Sequence, residues 1–341
     1  MIWMTWRQFR AQAITAGAIL LALAITLGIT GAGLASDFNG AGLNVCHASC
    51  AQDASNFLTA LKGSDYQKLY YGGIAVMFLA PALIGLFWGA PLIARELETG
   101  TYRLAWNQSV TRGRWTLGKV GLGGLASVAF AGLLSLMVTW WASPINTALN
   151  YGSGSSPLSS RMEPLVFAAR GVAPLGYAAF AFTLGVTLGV LLRRTIPAMA
   201  LTLVLFAAVQ FLMPALVRPH LLPAQQVTAP YNPGSGGELT ISNGGLMTLV
   251  ANASVPGAWI ISNQTVTPAG KVFTGPATDA CAGPNGNACD SWLASKHLRQ
   301  LVAYQPASNF WPLQWIELAI YLAAAASLAG VCSWRIRRRA G

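Results

Sequence analysis

Residues 71–94 and 120–142 are two apolar runs without a single charged residue, and the 25 residues between them, 95–119, are dense in charge. A helix needs about 20 apolar residues to cross the hydrocarbon core of a bilayer. Each run meets that length, so the charged block hangs from two membrane spans on one side of the membrane. Four further runs, 12–35, 172–192, 196–217 and 312–334, meet it as well. The chain is 54% hydrophobic and 9% charged, against roughly 25% charged for soluble domains. An apolar helix satisfies its own backbone hydrogen bonds in lipid, where an irregular chain cannot. The expected fold is therefore an all-α polytopic membrane protein with six transmembrane helices. Pro81 and Pro91 should kink the second span, leaving carbonyls for neighbouring helices to satisfy.

Six spans bring both termini to one face, and the charges choose which. That face collects Arg7, Arg10, Arg95, Arg103, Arg112, Arg114, Lys119, Arg193, Arg194, Arg335, Arg337, Arg338 and Arg339. Its acids, Glu96 and Glu98, leave it with the whole formal net charge of the chain, +11. The positive-inside rule assigns that face, and both termini, to the cytoplasm. The basic tail 335–341 reads as an anchor meeting anionic membrane lipids rather than as a nucleic-acid site. Residues 1–11, with Trp3, Trp6 and Phe9 beside Arg7 and Arg10, suit an interfacial helix. The run that follows is too long for a signal-peptide core and is kept as a span. A composition rich in Arg, Ala and Gly suggests a GC-rich bacterial genome, and hence a bacterial cell membrane.

Cys46, Cys50, Cys281 and Cys289 fall in outer loops, and Cys332 lies at the inner end of span six. An even number outside and one inside suits an oxidising exterior and a reducing interior. Two local disulfides, Cys46–Cys50 and Cys281–Cys289, are expected, with cross-loop pairing the alternative. Outer residues 36–70 contain an amphipathic helix with Phe57, Leu58, Leu61 and Leu69 on its apolar side. The loop 143–171 should be flexible at its glycine- and serine-rich tip. Residues 218–311 should form a small mixed α/β outer cap between spans five and six. Strand-like pieces are expected at 239–241, 258–261, 265–267 and 271–273, and a helix over 290–304.

No catalytic, cofactor-binding or metal-binding constellation emerges. Residues 113–119, GRWTLGK, fit the first seven positions of a phosphate-binding loop. The eighth is Val120, which has no hydroxyl for magnesium, and no strand is expected before the glycines. His47, His220 and His297 are far apart, and no zinc-protease or nucleophile-elbow motif occurs. Few ionisable groups lie near the spans. Glu317 reads as an interfacial carboxylate reaching for water, Arg170 sits near an outer end, and Gln210 is the polar residue inside. That pattern disfavours an ion-coupled transporter, which places ionisable groups at membrane depth.

Residues 95–104, RELETGTYRL, followed by SVTR at 109–112 and Gly118-Lys119, resemble the loop between spans two and three of ABC-2 type permeases. The stretch 304–317, YQPASNFWPLQWIE, is similar to the lead-in to span six in a bacterial subset of that superfamily. The resemblance covers most of the membrane part, 12–217 and 312–334, and not the cap. It implies a membrane subunit, itself no enzyme, that pairs with a separate ATP-binding cassette ATPase and with a second permease copy or homologue. It also implies that the coupling loop 95–119 sits in a groove of the ATPase. Glu96 and Glu98 would then meet basic groups there, Gly100 would permit a turn, and Arg95, Tyr102 and Arg103 would complete the joint. The alternative for the two glutamates is pairing with Arg95 and Arg103 on a solvated helix face. The resemblance leans to export, and the apolar walls suggest an amphipathic or lipid-like substrate. The competing function is a membrane sensor or assembly factor with a ligand-binding outer cap.

Overall fold

The computed structural model describes residues 2–46, 50–100, 112–152, 156, 158–231, 237–241, 246–251, 255–276, 281 and 286–339. Six helices among them are long and apolar enough to span a membrane: Gln12–Gly40, Asp65–Thr99, Leu117–Trp141, Ala173–Leu192, Thr195–Leu221 and Ala307–Ile336. Numbered one to six in chain order, they coincide with the six expected runs to within a few residues at most ends. The helix that contains span one runs unbroken from Ile2 to Gly40, so the aromatic N-terminal segment is continuous with the span.

Span four is the axis of the bundle. Its most apolar window is 83% buried in protein, against 11% for span one and 17% for span five. Phe180, Leu184 and Leu188 pack with Phe206 of span five and Tyr321 of span six. Phe182, Val186 and Val190 pack on the other side with Ile84 and Ile93 of span two and with Cys332 and Ile336 of span six. The outer spans keep large side chains such as Ile29, Ile196 and Phe211 outward, which suits a lipid surround.

Span two leaves α-helical geometry between its prolines. A π-helical segment, Ile84–Gly89, lies between Pro81 and Pro91, which cannot donate to the ladder. The Phe87 carbonyl, four residues before Pro91, accepts from Gln12 Nε2 of span one at 3.3 Å. The same segment brings Gly85 and Gly89 against Gly185 and Gly189 of span four, two GxxxG pairs crossing backbone to backbone. A Cβ on Gly185 would lie 2.3 Å from the Gly85 carbonyl oxygen, and one on Gly89 would lie 2.5 Å from that of Phe182. Small residues allow this approach, which drives helix association in lipid through packing alone.

At the opposite end from the chain termini, the connections are folded. The amphipathic helix Ala51–Ala60 buries Phe57 and Leu58, and Leu61 just beyond it is buried too. The stretch expected as a loop instead carries helices Ser143–Tyr151 and Pro164–Ala168, because Ile145, Leu149, Val166 and Phe167 have a core to join. Its tip, 153–155 and 157, lies outside the described residues. Both local disulfides are present, Cys46–Cys50 and Cys281–Cys289, while Cys332 is a buried free thiol. Mass mapping of non-reduced peptides is expected to return those two pairs; cross-linked loops would contradict the geometry.

The cap contains two three-stranded antiparallel sheets. One has the order β1-β6-β4, from Gln225–Pro230, Arg299–Gln305 and Trp259–Val266. The other has the order β2-β3-β5, from Gly237–Ile241, Leu246–Ala251 and Thr274–Pro276. The helix expected over 290–304 is corrected here. It spans Gly286–Ser295, and His297 takes a left-handed φ of 48° that ends it. Arg299–Gln305 is then the central strand, paired on both sides, with Gln300, Val302 and Gln305 buried. Leu298, Leu301 and Val302 fit a helical spacing, but pairing on both edges outweighs that local preference. Leu249, Phe273, Leu293 and Leu298 close the cap's own core around Cys289.

Candidate functional site

At the end of the bundle where both chain termini lie, span two finishes as the helix Ala90–Thr99, stopped by Gly100 at a left-handed φ of 74°. Glycine enters this region without a Cβ penalty. The carboxylates of the preceding turn reach two different helices. Glu96 forms an ion pair with Lys119 at the start of span three, with side-chain exposures of 19% and 9%. Glu98 Oε2 accepts from the Thr195 backbone N–H at 3.2 Å and from its hydroxyl at 2.7 Å. That places a negative charge on the N-terminus of span five, where unpaired N–H groups and the helix dipole favour an anion. Leu97, between them, packs against the apolar cluster that spans two, three, four and six share.

The end of span two is therefore tied to spans three and five within one helical turn. Lys119 and Thr195 are partners that sequence spacing did not offer. Arg95 is exposed. Tyr102 and Arg103 lie outside the described residues, as does the rest of 101–111. Residues 113–119 are helical, inside Arg112–Trp141, which is not the conformation of a phosphate-cradling loop.

A second polar cluster, at the cap end, escaped sequence reading. Glu317 of span six is fully buried, and the expectation of an interfacial carboxylate reaching for water is corrected. It binds Arg218, at the end of span five, in two parallel bonds: Nε to Oε2 at 2.9 Å and Nη2 to Oε1 at 2.9 Å. Arg218 Nη1 also donates to the Pro164 carbonyl at 3.1 Å, and its guanidinium lies 4.3 Å from the centre of the Phe167 ring. The Tyr177 hydroxyl of span four donates to Glu317 Oε1. Tyr321 stacks edge-on against Tyr177 at 4.7 Å and donates to Gln210 of span five at 3.0 Å. One turn along span six, Gln314 accepts from the N–H groups of Val172 and Ala173 and donates to the Phe167 carbonyl. It caps the start of span four from span six. The available signal was an Arg at the end of one span and a Glu at the start of the next, two charges that lipid would force together.

Neither cluster carries a nucleophile poised beside a base. Among the described residues no three His, Cys, Asp or Glu side chains come together as a metal site. An open cavity of about 320 Å³ in the cap is lined by Pro230, Tyr231, His297 and Arg299 among others. Burial and the nearby charge of Asp290 push the Tyr231 phenol up from its ordinary range.

Six membrane-length helices around a buried central span, with polar ties at both ends, define a multi-pass membrane protein of the transporter kind. The family profile described as ABC-2 membrane transporter related matches residues 17–218. The chain belongs to that family, whose members are membrane components of transporters of permease type. The matched range holds spans one to five and both glutamates, and stops where the cap begins. No curated protein and no solved structure matches the chain.

Proposed function

We propose that this protein is the membrane-spanning permease subunit of an ATP-binding cassette exporter, driven by a separate ATPase subunit that docks at residues 95–119. In this reading the termini face the cytoplasm of a bacterial cell, and two permease copies or homologues enclose the path. The observation that carries it is the double attachment of the end of span two, Glu96 to Lys119 and Glu98 to Thr195. A partner that pushes on the segment beyond Gly100 would press on spans two, three and five together. That is what a rigid-body switch between two arrangements requires. The lipid-facing apolar surfaces favour an amphipathic or lipid-like cargo.

Two roles remain for Glu96 within this reading, brace or docking contact, and its burial beside Lys119 favours the brace. A mild-detergent pull-down of the tagged protein is expected to bring a soluble P-loop ATPase with it. Glu96→Lys, which sets two ammonium groups side by side, should lower ATP-dependent flux at least tenfold. The charge swap Glu96→Lys/Lys119→Glu should restore most of it. A docking contact would show instead as loss of the ATPase from the pull-down with no rescue by the swap. No ATPase under several detergents would overturn the proposal.

A further inference from the structure

The cap presents an open strand edge whose hydrogen-bonding groups match their own copy. In the sheet β1-β6-β4, the residues that lead into β4 sit on the folded connection 143–171. Ser160 donates to the Ala258 carbonyl at 3.3 Å, and Gly257 lies so close to Asn150 that a Cβ would come within 2.2 Å of its Oδ1. The opposite edge is β1, which pairs only with β6 among the described strands, and all six of its residues are exposed. β1 follows span five after Leu222, Pro223 and Ala224, beyond the exposed side chains of Phe211, Leu212 and Leu216.

The phase of the edge can be read from its pairing. Tyr231 N–H donates to the Leu298 carbonyl at 2.9 Å, in continuation of the Pro230↔Arg299 register. Antiparallel alternation then turns the backbone groups of Val227 and Ala229 towards β6 and those of Gln226 and Thr228 to the open side. Pro230 falls in the open phase, where its missing N–H removes nothing from the sheet and ends the usable edge. The edge carries no lysine or other charge of the kind that blunts strand edges in monomeric proteins.

We propose that β1 pairs antiparallel with β1 of a second copy about a two-fold axis through Val227, joining the two caps into one six-stranded sheet. The proposal rests on the two-copy reading above. In this register Gln226 of each copy faces Thr228 of the other, and all the open N–H and C=O groups of both residues are used. Val227, 41% exposed, meets its own copy as a non-hydrogen-bonded pair. A register shifted by one residue would face Gln226 with groups already bound to β6. One shifted by two towards the C-terminus would set Pro230 where an N–H is required. An extended peptide lacks this truncation, so a second copy is the better fit.

Cα atoms of such a pair lie about 4.5 Å apart, within the roughly 4.4–6.8 Å span of a disulfide. Full-length Val227→Cys, in lipid nanodiscs under mild oxidation, is expected to give a disulfide-linked dimer at least tenfold more abundant than Lys271→Cys, on the hairpin beyond β4. Adding Thr228→Pro should remove most of the cross-link, because it deletes an open-side N–H and leaves the bonds to β6 intact. Cross-linking that survives Thr228→Pro would overturn strand pairing. Absence of the cross-link in a particle that light scattering finds dimeric would overturn the β1 interface and leave the two-copy reading standing. A monomeric particle would overturn both.

Discussion

Gly185→Leu is expected to abolish recovery of folded protein, while Gly17→Leu and Gly330→Leu are tolerated. The contrast isolates close approach from any general cost of losing glycine. A Cβ on Gly185 meets the Gly85 carbonyl oxygen at 2.3 Å and the Ala90 nitrogen at 2.7 Å, and both are backbone atoms of span two. Real Cβ contacts stay above about 3.0 Å, so the two spans would have to part. Gly17 and Gly330 have nothing within 4 Å of the same construction. Overpacking a core usually costs about 1–3 kcal/mol when side chains can shift. Here span four is the axis on which spans two, three, five and six pack, so separation would loosen the bundle and the cost should exceed that range. Size-exclusion profiles of a fluorescent fusion would read it. A monodisperse Gly185→Leu peak within a factor of two of wild type would refute the backbone-contact account. Gly89→Leu should behave in the same way, since its Cβ would lie 2.5 Å from the Phe182 carbonyl oxygen.

Breaking the Arg218–Glu317 pair from one side should cost about 3–5 kcal/mol, the usual penalty for an uncompensated buried charge. Both groups are nearly or wholly without solvent contact, at 1% and 0% side-chain exposure. In Glu317→Leu the guanidinium keeps the Pro164 carbonyl and the Phe167 ring but loses its counter-charge. In Arg218→Met the carboxylate keeps only the Tyr177 hydroxyl of the contacts described above. The double variant Arg218→Met/Glu317→Leu removes both charges and fills similar volume, so its loss should be small, below about 1.5 kcal/mol. Thermal melts of the four proteins in detergent form the cycle. Additive losses in the double variant would mean that the two charges act separately, against the paired geometry.

The two experiments probe different ends of the same design. The glycine crossing sets how close spans two and four can lie, and the ion pair joins the outer ends of spans five and six beside span four. The glutamates at positions 96 and 98 tie the opposite end. A bundle fixed at both ends and packed tightly in the middle moves as a unit, which suits the proposed role as a driven permease.

Much of this architecture was legible in the chain because lipid leaves few alternatives. An uncharged run of about 20 residues can hardly do anything but span, so six runs became six spans. The cysteines paired locally, as the short separations Cys46–Cys50 and Cys281–Cys289 suggested. The prolines of span two were readable as a place where the helix ladder is interrupted. The GLFWG of residues 85–89 and the GVTLG of residues 185–189 could also have been read as contact motifs. That they face each other could not, because the pattern names a close contact without naming its partner.

Partnership is what only the tertiary structure decided. Glu96 had Arg95 and Arg103 within reach along the chain, and Lys119, 23 residues on, is a partner that only the fold brings to it. Glu317 read as an interfacial side chain, yet it is buried, because Arg218, 99 residues earlier, arrives beside it. Residues 299–305 had the spacing of a helix, and became a central strand because β1 and β4 offered partners on both edges. Local pattern determined where this chain enters and leaves the membrane, since burial in lipid depends on composition along a single segment. Which charge meets which, and which backbone touches which, depends on elements brought together from far apart in sequence, and only the folded bundle and its cap settle that.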